Sequence, residues 1–217
     1  EGPVAAKRSA IELFAWNKDN KYFSSVFQMT SSPEEKIKSA AIKALAPLAA
    51  PSDQTKLIEL LSSTDNAEYI TDIQNAIAAA ASRISDPERK SEAIINSLLK
   101  GEGTDPAKLT SLKIKIIPVL ARTGGRDALA LVTKEFENGN ADMRGVCFKT
   151  LTEWKDYSAS SVLYSICASG NKTYESDAFK GYVNQIKTTV LPDEEKLLLY
   201  RKIMPFALTA ERKNTVL

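Results

Sequence analysis

The sequence predicts an all-α chain of about six stacked helix pairs. Three observations predict it: an amphipathic segment returns every 34–36 residues, each is followed by a turn and a second amphipathic segment, and no stretch outside helix-periodic windows alternates as a half-buried strand would. The first members of the repeat begin at residues 37, 73, 109, 143 and, more loosely, 178, so they lie 36, 36, 34 and 35 residues apart. A step that steady falls among the known periods of helical repeats.

Taken in order, the first pair covers residues 3–30: Ala5 to Trp16 and Lys21 to Met29 are apolar on one side, with polar Asn17-Lys18-Asp19-Asn20 between them. The second, 33–63, shows the grammar most clearly. Ala40, Ala41, Ala44, Leu45 and Leu48 share one helical stripe, Lys36, Lys38 and Lys43 lie opposite, and Ala50-Pro51-Ser52-Asp53 leads into QTKLIELLSS. The third, 67–101, breaks at Ser85-Asp86-Pro87, and the fourth, 105–139, at Thr123-Gly124-Gly125. The fifth, 141–171, turns at Lys155-Asp156-Tyr157-Ser158, and the sixth, 174–208, at Leu191-Pro192-Asp193. Second helices ending near Gly101, Asn138-Gly139 and Gly170-Asn171 suit left-handed helix caps. Pro47 and Pro118, late in their first helices, are expected to bend them. Trp16-Asn-Lys-Asp-Asn echoes Trp154-Lys-Asp-Tyr, and both indoles are expected to pack in the core rather than stack on a ligand. Residues 1–217 thus read as one solenoid, and Ala210 to Leu217, which starts a further helix, makes it an excised run of a longer protein.

Composition narrows the function. Lys and Arg number 29 against 27 Asp and Glu, interleaved along the chain, so the clustered basic stripe of a nucleic-acid-binding face is missing. There is no His, which removes the commonest general base and zinc ligand; no catalytic residue, metal site or cofactor is assigned. No apolar run of 18 residues occurs, so no membrane span is expected.

Three groups of residues carry candidate roles. Cys147 and Cys167 each lie about ten residues from the turn near Tyr157, on antiparallel helices of one pair. They read as buried thiols packing as small hydrophobes, or as a disulfide if their α-carbons approach within about 7 Å. Tyr164, Tyr200 and Arg201 fall on second helices and are candidate partner contacts, set against plain packing or solvation. The Gly124-Gly125 pair lacks both the Lys-Ser/Thr and the preceding strand of a phosphate-binding loop, so it reads as a turn. Acidic residues such as Asp86, Glu88 and Asp193 to Glu195 suit helix starts, where negative charge offsets exposed amides.

The pattern of Ile37 to Leu48, repeated along nearly the whole chain, resembles the HEAT-repeat superfamily. That resemblance implies a right-handed α-α superhelix of the HEAT or armadillo kind, whose second helices line the concave side. Ala121-Arg-Thr-Gly-Gly-Arg-Asp-Ala-Leu, the Leu151 to Trp154 helix end, Phe179-Lys-Gly-Tyr-Val, Leu191-Pro and Lys196-Leu-Leu-Leu-Tyr-Arg-Lys look like the HEAT segments of secreted bacterial proteins that also carry a 3-keto-disaccharide hydrolase domain. The narrower likeness implies an exported, periplasmic or otherwise secreted, carbohydrate-related parent in which this chain is the non-catalytic arm. No hydrolase motif is present to carry chemistry over. The expected role is a helical-repeat scaffold contacting a protein partner or an adjacent domain of the same polypeptide. Two alternatives stand beside it: direct carbohydrate binding, and a HEAT-like DNA glycosylase, which the balanced charge disfavours.

Overall fold

In the computed structural model, which describes residues 2–101 and 105–216, each amphipathic segment forms a helix and all regular structure among the described residues is helical. The helices are α1 (Gly2–Asn17), α2 (Phe23–Met29), α3 (Glu35–Leu48), α4 (Gln54–Ser62), α5 (Ala67–Ser82), α6 (Glu92–Lys100), α7 (Pro106–Thr123), α8 (Arg126–Asn138), α9 (Ala141–Thr152), α10 (Ser160–Ala168), α11 (Glu175–Thr188), α12 (Asp193–Ile203) and α13 (Ala210–Val216). A single 3-10 turn leads into four of the second helices, at Asn20–Tyr22, Pro51–Asp53, Pro87–Arg89 and Tyr157–Ala159. The cause is local: the side chains of Asp19, Asp86 and Asp156 accept from the backbone N–H two residues on, and Asp53 Oδ2 accepts from Ala50 N. Before α8 the device is replaced by Gly124 and Gly125, at φ 70° and 98°, a conformation that other residues adopt only with strain.

The chain divides into two compact units, Glu1–Val119 and Leu120–Leu217, and the division falls inside α7. In the first unit the closest pairings are α1 with α3, α3 with α5, α2 with α3 and α4 with α5. Ile42, Leu45 and Leu48 on α3, Leu57 and Leu61 on α4, and Ile73 and Ile77 on α5 form its apolar centre. Each such side chain contributes about 1.5–3 kcal/mol by leaving water. In the second unit α8 packs with α9, α10 with α11, and α9 with α11. Gly181 on α11 admits α9 there, since a Cβ would lie 3.1 Å from Thr152. Arg212 of α13 is held by Glu175 at 2.8 Å, both largely buried, and its guanidinium lies over the Phe179 ring.

One polar relationship recurs inside both units. The last carbonyls of a helix have no partner within that helix, and here they are capped from the next first helix along the chain. Arg83, at the end of α5, donates to Ala49 O at 2.6 Å and to Pro47 O at 2.7 Å, at the end of α3. Lys155, just past α9, donates its backbone N–H to Ala121 O at 2.9 Å and its ammonium to Thr123 O, at the end of α7. Gln185 of α11 donates to Leu151 O of α9 at 2.8 Å. The donor lies 32–36 residues after the acceptor in every case.

Two local expectations are corrected. Gly101 and Gly139 close their helices at φ −74° and −73°, so only Gly170, at φ 68°, is a left-handed cap among the three. The reason is that the chain turns there without reversing hand, and Gly139 N still bonds Glu135 O in helical fashion. Trp16 is 82% exposed whereas Trp154 is 3% exposed, so the two echoing indoles do not share a packing role. Trp154 N–H donates to Leu151 O across the turn, and its ring indole N–H is buried. Pro47 and Pro118 both lie inside their helices.

Candidate functional site

A groove of about 730 Å³ lies in the first unit between the second helices α4 and α6. Gln54, Thr55, Ile58, Glu59 and Ser62 come from α4, at the i, i+1, i+4, i+5, i+8 spacing that marks one helix face. Glu92, Ala93, Asn96, Ser97 and Lys100 come from α6 with the same logic, and Leu112 of α7 closes one side. The 3-10 turns fix both helix starts, which brings Pro51 and Arg89 to the lining.

Gln54 is the chemically distinctive member. It is 3% exposed, and its side-chain amide nitrogen meets no acceptor among the protein atoms. A buried donor left unmade costs about 1–3 kcal/mol. Charges on the rim balance: Glu59 and Glu92 face Arg89 and Lys100, with Arg89 and Glu92 paired at 3.0 Å. The groove was missed in the sequence because Gln54, flanked by turn and polar residues, carries no periodic signal of its own.

The residues singled out from sequence lie in the second unit. Tyr164 on α10 is half-buried, its ring edge-on to Phe206 at 5.5 Å, tilted against Tyr182 at 6.4 Å, with the Lys202 ammonium 4.5 Å above it. It is engaged in packing with the end of α12. Tyr200 on α12 is also half-buried, and burial pushes its hydroxyl above the ordinary tyrosine range. Arg201 is exposed beside it in the chain. Cys147 and Cys167 are both buried and carry thiols rather than a disulfide. Burial pushes the Cys167 thiol up to about 11, assisted by Glu175 and opposed by Arg212, and its Sγ donates to Glu175 O at 3.7 Å.

Among the described residues no cluster of three or more Cys, Asp or Glu side chains could hold a metal ion, and no helix is long and apolar enough to cross a membrane. No protein-family model and no curated protein matches the chain. Among solved structures, the crystal structure of an engineered protein from a structural genomics consortium is similar at 15% identity and a TM-score of 0.39, over 89% of this chain and 93% of that one.

Proposed function

We propose that the chain is a helical-repeat interaction module, an α-α superhelix of the HEAT kind that binds a protein partner or a neighbouring domain of its own polypeptide and performs no catalysis itself. One observation carries the reading: the capping of three first helices, α3, α7 and α9, by a side chain or amide from 32–36 residues downstream. A joint repeated at the sequence period is what a stack of units needs when each contacts only its neighbours. The groove between two successive second helices adds the concave surface such modules use. The likeness to arms of exported, carbohydrate-related bacterial proteins supports an exported setting for the partner.

Small-angle scattering of the chain tests the architecture. A compact 217-residue domain has a radius of gyration of about 17 Å, and a superhelix of six pairs is expected well above it. A value at or below that figure would sink the proposal.

A further inference from the structure

We propose that the outward face of α12 is a self-association site, where the same helix of a second copy of the chain docks antiparallel about a two-fold axis. Four of the large apolar side chains exposed among the described residues fall between residues 190 and 208: Val190 (99%), Leu197 (49%), Leu198 (63%) and Leu208 (71%). The inner side of α12 is already occupied, with Ile203 buried and Tyr182 of α11 donating its hydroxyl to Leu199 O at 3.0 Å. On the outer side Glu194, Leu197, Leu198 and Arg201 are all exposed and follow one another at i, i+3, i+4 and i+7, the spacing of a helix-to-helix seam. An acidic first turn and a basic last turn also suit the helix dipole, which accounts for the two charges. It does not account for adjacent leucines left in water between them.

The order of the four residues identifies the partner. The leucines occupy the positions three and four residues after Glu194 and before Arg201, where an ion pair within the helix would form, so neither charge has an intrahelical mate. Laid antiparallel with the axis between Leu197 and Leu198, a second α12 sets Leu197 against Leu198 and Glu194 against Arg201, each twice by symmetry. Parallel docking would instead oppose like charges at both ends. One acid and one base leave the seam without net charge, so neither an anionic membrane nor a nucleic acid is selected. The 11 residues of α12 give a seam about 16 Å long. That covers less than the roughly 800 Å² per partner of a standard interface, so the dimer is reversible and concentration-dependent.

Sedimentation equilibrium of the whole chain at low ionic strength, from micromolar to submillimolar concentration, tests the assignment. A monomer–dimer equilibrium is expected, weakened about tenfold or more by Glu194→Arg or by Arg201→Glu, because either reversal opposes like charges at both ends of the seam. Mixed one to one, the two variants should associate within about threefold of the parent, since every facing pair is then of opposite sign. The double variant Glu194→Arg/Arg201→Glu should recover in the same way. Both positions are exposed, and helical circular dichroism confirms that each variant folds. A chain that stays monomeric, an open-ended series of oligomers, a dimer indifferent to both reversals, or variants that do not recover on mixing overturns the assignment. The Glu194→Arg chain serves as the monomer for scattering, so failure here is distinguishable from failure of the repeat reading.

Discussion

The guanidinium of Arg83 lies 2.6 Å from the carbonyl oxygen of Ala49, thirty-four residues earlier, and bonds the neighbouring Pro47 carbonyl with its other nitrogen. Two charge-assisted bonds to helix-end carbonyls tie α5 to the end of α3. Because Arg83 is exposed and water can replace it, the smaller end of the range for such bonds applies. Arg83→Ala is expected to lower stability by about 1–2 kcal/mol, read as an earlier urea midpoint at unchanged slope. Arg83→Lys, which reaches one carbonyl as a point charge, should recover part of it. An unchanged midpoint for Arg83→Ala would remove the cap from the list of stabilising contacts.

Gly124 and Gly145 should respond to alanine with opposite signs. At Gly124 the backbone sits at φ 70° and an added methyl overlaps the Lys155 side chain, the one that reaches Thr123 O. Gly124→Ala is therefore expected to cost about 1–3 kcal/mol. Gly145 lies exposed inside α9 with nothing within 4 Å of a built Cβ. Gly145→Ala should stabilise by about 0.5–1 kcal/mol through helix propensity and a less flexible unfolded chain. Thermal melts of the pair check both signs.

Alkaline pH should weaken the fold above the ordinary thiol range. Burial holds Cys167 at about 11 and Tyr182 at about 12 in the folded chain. Both values are raised, so the folded state binds more protons than the unfolded one once pH passes the ordinary pKa. Their stabilisation is complete below about pH 8.5 and is lost progressively up to the folded values. Cys167→Ser should flatten the pH 9–11 part of the melting curve and leave the part above it. Native protein should react slowly with a thiol reagent at pH 8, and both thiols should react at once in denaturant without reductant.

The two indoles provide a direct reading of burial. Trp154→Phe, which leaves Trp16, should emit at long wavelength and be quenched freely by iodide, while Trp16→Phe should leave a blue-shifted, protected emission. Equal quenching of the two single-tryptophan variants would contradict the placement of Trp154.

What was legible in the sequence was the element inventory. The period of 3.6 in Ile37 to Leu48 and its returns, together with Asp-bearing turns, locates helices because both signals are local. The class of fold follows from them. Less legible was everything decided between elements. Trp16 and Trp154 stand in matching local contexts, yet one is exposed and the other buried, because burial depends on what lies against the helix end. Gly101 and Gly139 carry the cap residue without the cap conformation. For Tyr164 residue type leaves partner contact and packing both open, and only the arrival of Phe206 and Lys202 from about forty residues away engages its ring. Gln54 is a polar residue on a helix start; only the approach of α6 makes its amide part of a groove wall.

The downstream origin of each cap bears on how such a chain can grow. Tandem duplication of a step of about 35 residues that carries such a cap, as at the ends of α3, α7 and α9, copies a helix end together with the group that will cover the end before it. The new seam arrives already satisfied, and genetic lengthening or shortening by whole steps needs no compensating substitution at the splice.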